Sequence, residues 1–581
     1  MALLSSINPG LLLVLAGIIC AVTPIQRVRQ VLAVATPLAA MGLLLVAPHE
    51  VDLASMHIMD IDMVFYRVDN LNFIFGIAFL IAATLNGIYA LHQDSIVEDS
   101  SALIYAGAAV AATFVGDFMS LFVFWELTAI SSVFLILKTG TRAAYGAAMR
   151  YLGIQVLSGV LLLFGAAKLF AATGDMSLRA LELGADAGTW LLLVAFGIKA
   201  AFPLMHNWLQ DSYPRATVVG AVVLSAFTTK LAVYVLARVF AGEHLLIWVG
   251  AVMTVFPVFF AVIENDLRKV LAYSLNNQVG FMVCAIGVGT ELAINGAAAH
   301  AFAHIIYKGL LFMSMGAVLY RTGTTKASEL GGLFRSMPWT ALFCIIGAAS
   351  ISAFPLFSGF VAKSLTMSAV LSEHHYIVWA MLLFASAGVL EHSGIKIPYF
   401  AFFGHDSGRR VKEAPFNMLL AMGIAAFICI AIGLPAISGL GGYGFLYSIL
   451  PYADVALNYN PFTLEHIVTQ LQLLILAALA FVVLQRFGAY PPERPGTILD
   501  FDWSYRKVGF SLAIWSGAVW VKIGKALQSV WSSLMKALFT RIEAAFSPQG
   551  VLSRGPLTGG MAVWAGLLLG VVLLASLFSD I

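Results

Sequence analysis

The chain is a succession of mostly apolar runs, about sixteen in number, each near the ~20 residues that a helix needs to cross a bilayer. They centre on 10–25, 31–48, 72–92, 101–119, 120–137, 150–172, 189–210, 216–238, 244–263, 270–290, 293–320, 338–371, 376–404, 416–435, 466–486 and 560–579. Lipid offers the backbone no hydrogen-bond partner, so spanning segments are helices or strands of a closed barrel. These runs are too long for barrel strands. Composition points the same way: 61% of the 581 residues are hydrophobic and 11% charged, against roughly half and a quarter in soluble domains. The expected fold is an all-α polytopic membrane protein.

Charge and cysteine usage exclude several classes. With 32 basic and 30 acidic residues there is no basic field for nucleic acid. Cys20, Cys284, Cys344 and Cys429 lie singly inside apolar runs, which argues against a zinc ribbon, a Cys-ligated iron–sulfur centre or a disulfide scaffold. No Walker loop, catalytic triad or carboxylate pair around a water pocket emerges, so no cofactor, metal or catalytic site of the chain's own is expected. The 51 glycines suit close helix packing in lipid. The first run, Leu11 to Ile25, lacks a basic region before it and reads as a retained helix.

Short loops rich in Lys and Arg stay on the cytoplasmic side. Arg27 and Arg29, Lys138 and Arg142, Arg268 and Lys269, Arg335, and Arg409, Arg410 and Lys412 all follow odd-numbered spans. The opposite side carries Glu50, Asp52, Asp60 and Asp62, then Asp175, Glu182 and Asp186. Both termini are therefore expected outside. The acidic loop His92–Ser100 is the one misfit.

Ala201-Phe202-Pro203-Leu204 in the seventh span recurs as Ala353-Phe354-Pro355-Leu356 in the twelfth, with Lys199 before the first copy and Lys363 after the second. Spans an odd number apart cross the membrane in opposite directions, the arrangement of an inverted repeat with broken helices. Pro203 and Pro355 are the expected breaks, since proline lacks a backbone donor and clashes with the preceding turn. From Tyr505 to Phe546, cations (Lys522, Lys525, Lys536) interleave with Trp515, Trp520 and Trp531. That mixture suits a helix lying in an interface, with a seventeenth span as the alternative.

An ionisable group inside a membrane helix is costly and marks function by default. Glu126, Lys199, Lys230, Lys308 and Lys363 each stand alone in an apolar span, and Glu391, His392 and Lys396 lie in the thirteenth. Burial and mutual repulsion disfavour charging all of these lysines at once, so they suit proton exchange better than fixed ion pairs. Lys168, near the outer end of its helix, reads as a snorkelling residue. His300, His304 and Lys308 recur every fourth residue and form one stripe on a helix. Imidazole accepts at one nitrogen while donating from the other, as a proton relay requires. Ordinary core histidines and a metal site compete with that reading, although haem needs ligands from two facing helices. His206, His374 and His375 sit near helix ends and read as ordinary.

These residues resemble a family. Phe124-Trp125-Glu126-Leu127 with Ser131-Ser132 is similar to motifs of the antiporter-like proton-translocating subunits. So are Gly197-Ile198-Lys199 with Pro203-Leu204, His206 and Trp208-Leu209, and Thr229-Lys230 with Tyr234. Further matches are Arg268-Lys269-Val270-Leu271-Ala272-Tyr273-Ser274, His300/His304/Lys308-Gly309-Leu310-Leu311-Phe312, and Pro355 through Ser358-Gly359-Phe360 to Lys363. The family comprises Mrp-type cation/proton antiporter subunits and the pumping subunits of complex I and membrane-bound hydrogenases. The resemblance is dense over roughly 60–405.

The resemblance implies a fourteen-helix core with two inverted five-helix repeats, each with one broken helix, followed by a C-terminal extension. The expected organisation is N-terminal helices 1–100, repeats 101–240 and 241–405, core helices 406–490, and an interfacial helix with a last span in 491–581. It implies that Glu126 pairs with and modulates Lys199, that Lys230 connects, that His300, His304 and Lys308 relay, and that Lys363 is the terminal site, where lysine resembles the Mrp D-type and distal complex I subunits. Glu391 and Lys396 match no family role and are candidates from burial alone. The tail resembles the lateral helix of the distal complex I subunit. The implied function is proton, or sodium and proton, translocation within a multi-subunit complex in a bacterial inner membrane, with other integral membrane subunits as partners. The alternatives are a pumping subunit of a redox complex and the membrane subunit of a bicarbonate-uptake complex.

Overall fold

Local sequence opens several helices of this protein. Asn8 accepts from the Gly10 N–H to cap α1 (Pro9–Val22), with Pro9 in the first turn. Asp69 and Asn72 form a reciprocal capping box on α3 (Asn70–Ala90). Asp117, Thr141, Thr217, Asp266 and Thr290 each accept a backbone N–H at the start of a later helix. The computed structural model describes residues 6–58, 61–435, 441–496, 498–554 and 557–578. Asp60, one of the outer-side acids, lies outside the described residues.

After α1 come α2 (Gln26–Leu45), strands β1 (Val51–Ile58) and β2 (Ile61–Val68), then α3, α4 (Ile96–Thr113), α5 (Phe118–Leu137) and α6 (Arg142–Thr173). The chain continues through α7 (Ala187–Ala200), α8 (Asn207–Ser212), α9 (Val218–Ala226), α10 (Thr228–Val239), α11 (His244–Ile263), α12 (Leu267–Val288) and α13 (Glu291–Thr322). It ends with α14 (Pro338–Ile351), α15 (Ser358–Ser372), α16 (Tyr376–Phe403), α17 (Phe416–Ala431), α18 (Tyr443–Ser448), α19 (Ala453–Leu457), α20 (Leu464–Arg486), α21 (Phe510–Phe546) and α22 (Leu557–Phe578). Among the described residues eleven helices are long and apolar enough to cross a membrane. The protein is a polytopic helical membrane protein.

The core is built around α12, in which only Lys269 and Val288 are partly exposed, and α13, nearly as buried. Glycine brings α11 onto α12: a Cβ on Gly250 would collide with the Cys284 backbone nitrogen. That close approach is the packing use of glycine expected in lipid. All four cysteines are free and buried.

Both expected breaks are present, and they share one backbone design. α7 ends with Ala201 in the left-handed region (φ 63°); the Ala201 and Phe202 N–H groups donate back to Ile198 and Gly197. α14 ends with Ala353 at φ 56°, its N–H and that of Phe354 donating to Ser350 and Ala349. This is the Schellman pattern. Proline then takes the first corner of a turn and a left-handed leucine the second, Leu204 at φ 71° and Leu356 at φ 74°. The turns close with Met205 and Phe357 N–H groups on the Phe202 and Phe354 carbonyls, the type II arrangement. Proline therefore fixes the turn, while the two alanines end the helices.

Three features depart from the sequence reading. The span 216–238 is interrupted at Phe227 without proline or glycine, because Tyr105 of α4 enters: its hydroxyl accepts the Thr228 N–H at 3.0 Å and bonds Thr228 Oγ1 at 2.6 Å. Strands β1 and β2 pair antiparallel, which a 20-residue apolar ruler does not detect. The acidic loop His92–Ser100 is no misfit in charge, since buried Arg29 donates to Asp94 and, at 2.9 Å, to Asp99.

The chain divides into two compact bodies, Met1–Ile498 and Leu499–Ile581. In the second, α21 is one 37-residue helix with no buried residue, about 55 Å long at ~1.5 Å per residue.

The Ala201 conformation gives a test. A β-branched residue there meets the left-handed penalty of roughly 1–3 kcal/mol. Ala201→Val should lower the thermal midpoint of the detergent-solubilised protein by several degrees, with Ala201→Gly at or above wild type. Reaction of the buried cysteines with a thiol dye reads the transition.

Candidate functional site

Lys199 closes the last turn of α7, where the Schellman break aims it at α5. Its ammonium donates to the Trp125 carbonyl at 2.6 Å and Thr128 Oγ1 at 2.7 Å, and lies 4.2 Å from the Trp125 ring centroid. Trp125 is fixed in turn by Ser158, which accepts from its indole N–H at 3.0 Å and donates to the Ala195 carbonyl. Glu126 is within Coulombic reach of Lys199, yet no ion pair joins them. Its buried Oε1 has no hydrogen-bond partner and faces Gly159, where a Cβ would overlap the carboxylate. Only glycine on α6 leaves that carboxylate its place.

Lys230 is fully buried one turn beyond the Phe227 break and donates to the Ser225 carbonyl at 2.6 Å. In an unbroken helix that carbonyl would take the N–H four residues on. The stripe on α13 is buried throughout. His300 Nε2 lies 3.0 Å from both Gln278 Oε1 and the Tyr307 hydroxyl, and Tyr307 donates to Gln278 at 3.1 Å. His304 has no hydrogen-bond partner on either ring nitrogen, and Lys308 Nζ has none. The His300 and His304 ring centroids are 6.3 Å apart.

Lys363, one turn into α15, donates at 3.0 Å to the carbonyl of Ile351, the last residue of α14. It stands 5.0 Å from the Phe281 ring centroid, and Phe281 lies 5.8 Å from His300. A chain of contacts thus joins Lys363 to the α13 stripe.

Lys396 also meets main-chain oxygens. A π-helical turn over Leu390–Ile395 redirects α16, and Lys396 Nζ donates to Val262 at 2.6 Å and Glu264 at 2.7 Å, carbonyls at the end of α11. It pairs with Glu493 at 2.9 Å. Glu391 accepts from the Tyr490 hydroxyl. His392, buried, bonds Ser393 through Nδ1 at 2.8 Å, and Ser393 donates to Ser274 at 2.8 Å.

Sequence reasoning missed Glu493 and Tyr490, because Ala489-Tyr490-Pro491-Pro492-Glu493 reads as a linker; nothing local says it folds back. It also passed over Gln278, for which Asn276-Asn277-Gln278 inside an apolar span was an available signal. His206, read as an ordinary helix-end residue, is buried and packs against Phe256 at 4.6 Å. Among the described residues no three His, Cys, Asp or Glu side chains converge as metal ligands would.

Residues 115–389 match the family model described as NADH:quinone oxidoreductase/Mrp antiporter, TM. The D-type component of the Na(+)/H(+) antiporter of Alkalihalophilus pseudofirmus is 33% identical over 308 residues, covering 50% of this chain and 62% of that protein. The match thus spans less than two thirds of that relative. Hydrogenase-4 component B of Escherichia coli is 27% identical over 389 residues, 57% of this chain and 58% of that one. In fold, the chain is similar to one in the solved structure of the Mrp complex from Dietzia, with a TM-score of 0.67 and 20% identity over 81% of this chain and 100% of that one.

Removing one partner of a buried pair leaves an uncompensated charge, at a cost of about 3–5 kcal/mol. Glu493→Gln should therefore lower the thermal midpoint clearly. Adding Lys396→Met to it should recover most of the loss, which a double-mutant cycle of melting temperatures measures.

Proposed function

We propose that this chain, a homologue of D-type Mrp antiporter components and of hydrogenase-type membrane components, is a proton-translocating subunit of a multi-subunit membrane complex. The observation that carries this reading is the buried row of titratable groups that runs from Lys199 through Lys230 and the α13 stripe to Lys363. Lys199, Lys230 and Lys363 rest on carbonyls, whereas Lys308 and His304 have no hydrogen-bond partner.

In this reading Lys199 loads beside Glu126, whose charge is near but not bonded. The proton passes by way of Lys230 to Lys308, His304 and His300 on the α13 stripe, where Gln278 and Tyr307 hold His300 in place, and reaches Lys363. Each step moves one proton from a cationic nitrogen to a neutral one, with water bridging gaps too long for direct bonds. Moving one charge against 100 mV costs ~2.3 kcal/mol, so a coupled event must supply it. The D-type relative from the Na(+)/H(+) antiporter favours exchange for sodium as that event. The relative named hydrogenase-4 component B favours a second reading, the same axis driven by redox partners. Co-purification separates the two: small membrane proteins alone support the first, and iron–sulfur proteins the second.

The intact complex in sealed vesicles tests the axis. Lys199→Met and Lys363→Met should each abolish ion-driven proton transport while the complex stays assembled, and Glu126→Gln should cut it severely. Lys168→Met, at an exposed position on α6, should be mild. An assembled Lys199→Met complex transporting at the wild-type rate would end this reading.

A further inference from the structure

Lys363 has two sides. One faces Phe281 and the histidine stripe. The other lines a cavity of about 100 Å³, room for about three waters at ~30 Å³ each. α15 contributes Ser364 and Ser368 to its wall, and α20 contributes Glu465, His466 and Gln470. Exposure rises along these groups: Lys363 is buried, Ser364, Ser368 and His466 are half-buried, and Glu465 is exposed. α20 starts at Leu464, and by the distribution of Lys and Arg its start lies on the outer side.

The hydrogen bonds orient the imidazole. His466 Nδ1 lies 3.3 Å from the Pro461 carbonyl, which can only accept, so Nδ1 carries the proton. Nε2 is then the lone-pair nitrogen, and it faces Ser368 Oγ at 3.4 Å. Ser368 is held in place by the Tyr459 hydroxyl at 2.7 Å. Gln470 donates to the Ser352 carbonyl at 3.1 Å and so is fixed in the wall. A basic nitrogen therefore points into the same cavity as a buried lysine.

We propose that this cavity is the outer vestibule of Lys363 and that His466 is the relay between it and solvent, an assignment that rests on the proton-translocation reading. A Lys363 ammonium gives its proton through cavity water to His466 Nε2, leaving a neutral amine and an imidazolium. The imidazolium then loses the Nε2 proton to water beside Glu465, which restores the starting tautomer. The run reverses for inward movement. The lysine makes the vestibule unsuited to sodium, because its ammonium repels a second cation in so small a space. The outer access of this half is thus completed by α20, which follows both expected repeats.

The test uses the full chain in its native complex. Ser368→Cys should react with a membrane-impermeant anionic methanethiosulfonate in right-side-out vesicles, and transport should fall with the extent of labelling. Inside-out vesicles should not be labelled, and the buried native cysteines keep the background low. Ser364→Cys repeats the measurement from a second wall position if Ser368→Cys assembles poorly. His466→Ala should lower transport on the order of a hundredfold, and imidazole added on the outer side should restore part of it. Labelling from the inner side, or no labelling from outside at either position, would overturn the vestibule. Wild-type transport in His466→Ala would overturn the relay. Should the wild-type complex move no protons, the function reading falls, while labelling still decides whether the cavity opens outward.

Discussion

A buried ammonium needs oxygen around it, and this protein supplies that oxygen mainly from its own backbone. Lys230 takes the Ser225 carbonyl, Lys363 the Ile351 carbonyl and Lys396 the carbonyls of Val262 and Glu264. Each lies at or near the C-terminal end of a helix, where up to four carbonyls lack partners and the helix dipole is negative. The broken helices and the lysines therefore require one another. An uninterrupted α14 would leave Lys363 without its acceptor, and a break without its lysine would leave a carbonyl exposed to an apolar interior, at a cost of roughly 1–3 kcal/mol.

The same principle accounts for the shape of the first half. Lys199 reaches a carbonyl in the middle of α5, that of Trp125, and Thr128 supplies a second oxygen. Glu126 is left with an unpartnered oxygen in the space that Gly159 leaves open. A carboxylate that is close without being bonded acts on the ammonium through space alone, and the ammonium's own hydrogen bonds go to Trp125 and Thr128. A tight pair would hold the proton too firmly to pass on.

Much of this was legible in the sequence, for reasons that differ by residue. A lysine alone in twenty apolar residues is conspicuous, so Lys199, Lys230, Lys308 and Lys363 stood out, as did the four-residue spacing of His300, His304 and Lys308. Pro203 and Pro355 marked their breaks because proline acts locally. The break at Phe227 did not show, because its cause is Tyr105, 122 residues away in sequence. Glu493 hid for the same reason: its role is set by a chain reversal after α20 that brings it to Lys396. The pairing of Arg29 with Asp94 and Asp99 likewise joins separate loops, so charge counting by loop saw only a discrepancy. Local chemistry was readable, and contacts between distant segments were not.

If protons follow the proposed pathway, the uneven bonding along it bears on how charge crosses. At the ends, carbonyls stabilise an ammonium, so Lys199 and Lys363 are places where a proton can rest. At the centre no protein group bonds His304 or Lys308, so water must solvate any charge that crosses there. Charges resting at the two ends also repel through a low-dielectric interior, where Coulomb energies fall slowly with distance. In the proposed pathway, occupation of one end therefore disfavours occupation of the other. A centre as well furnished with carbonyls as the ends would trap the proton midway, and the two halves would then lose their electrostatic coupling.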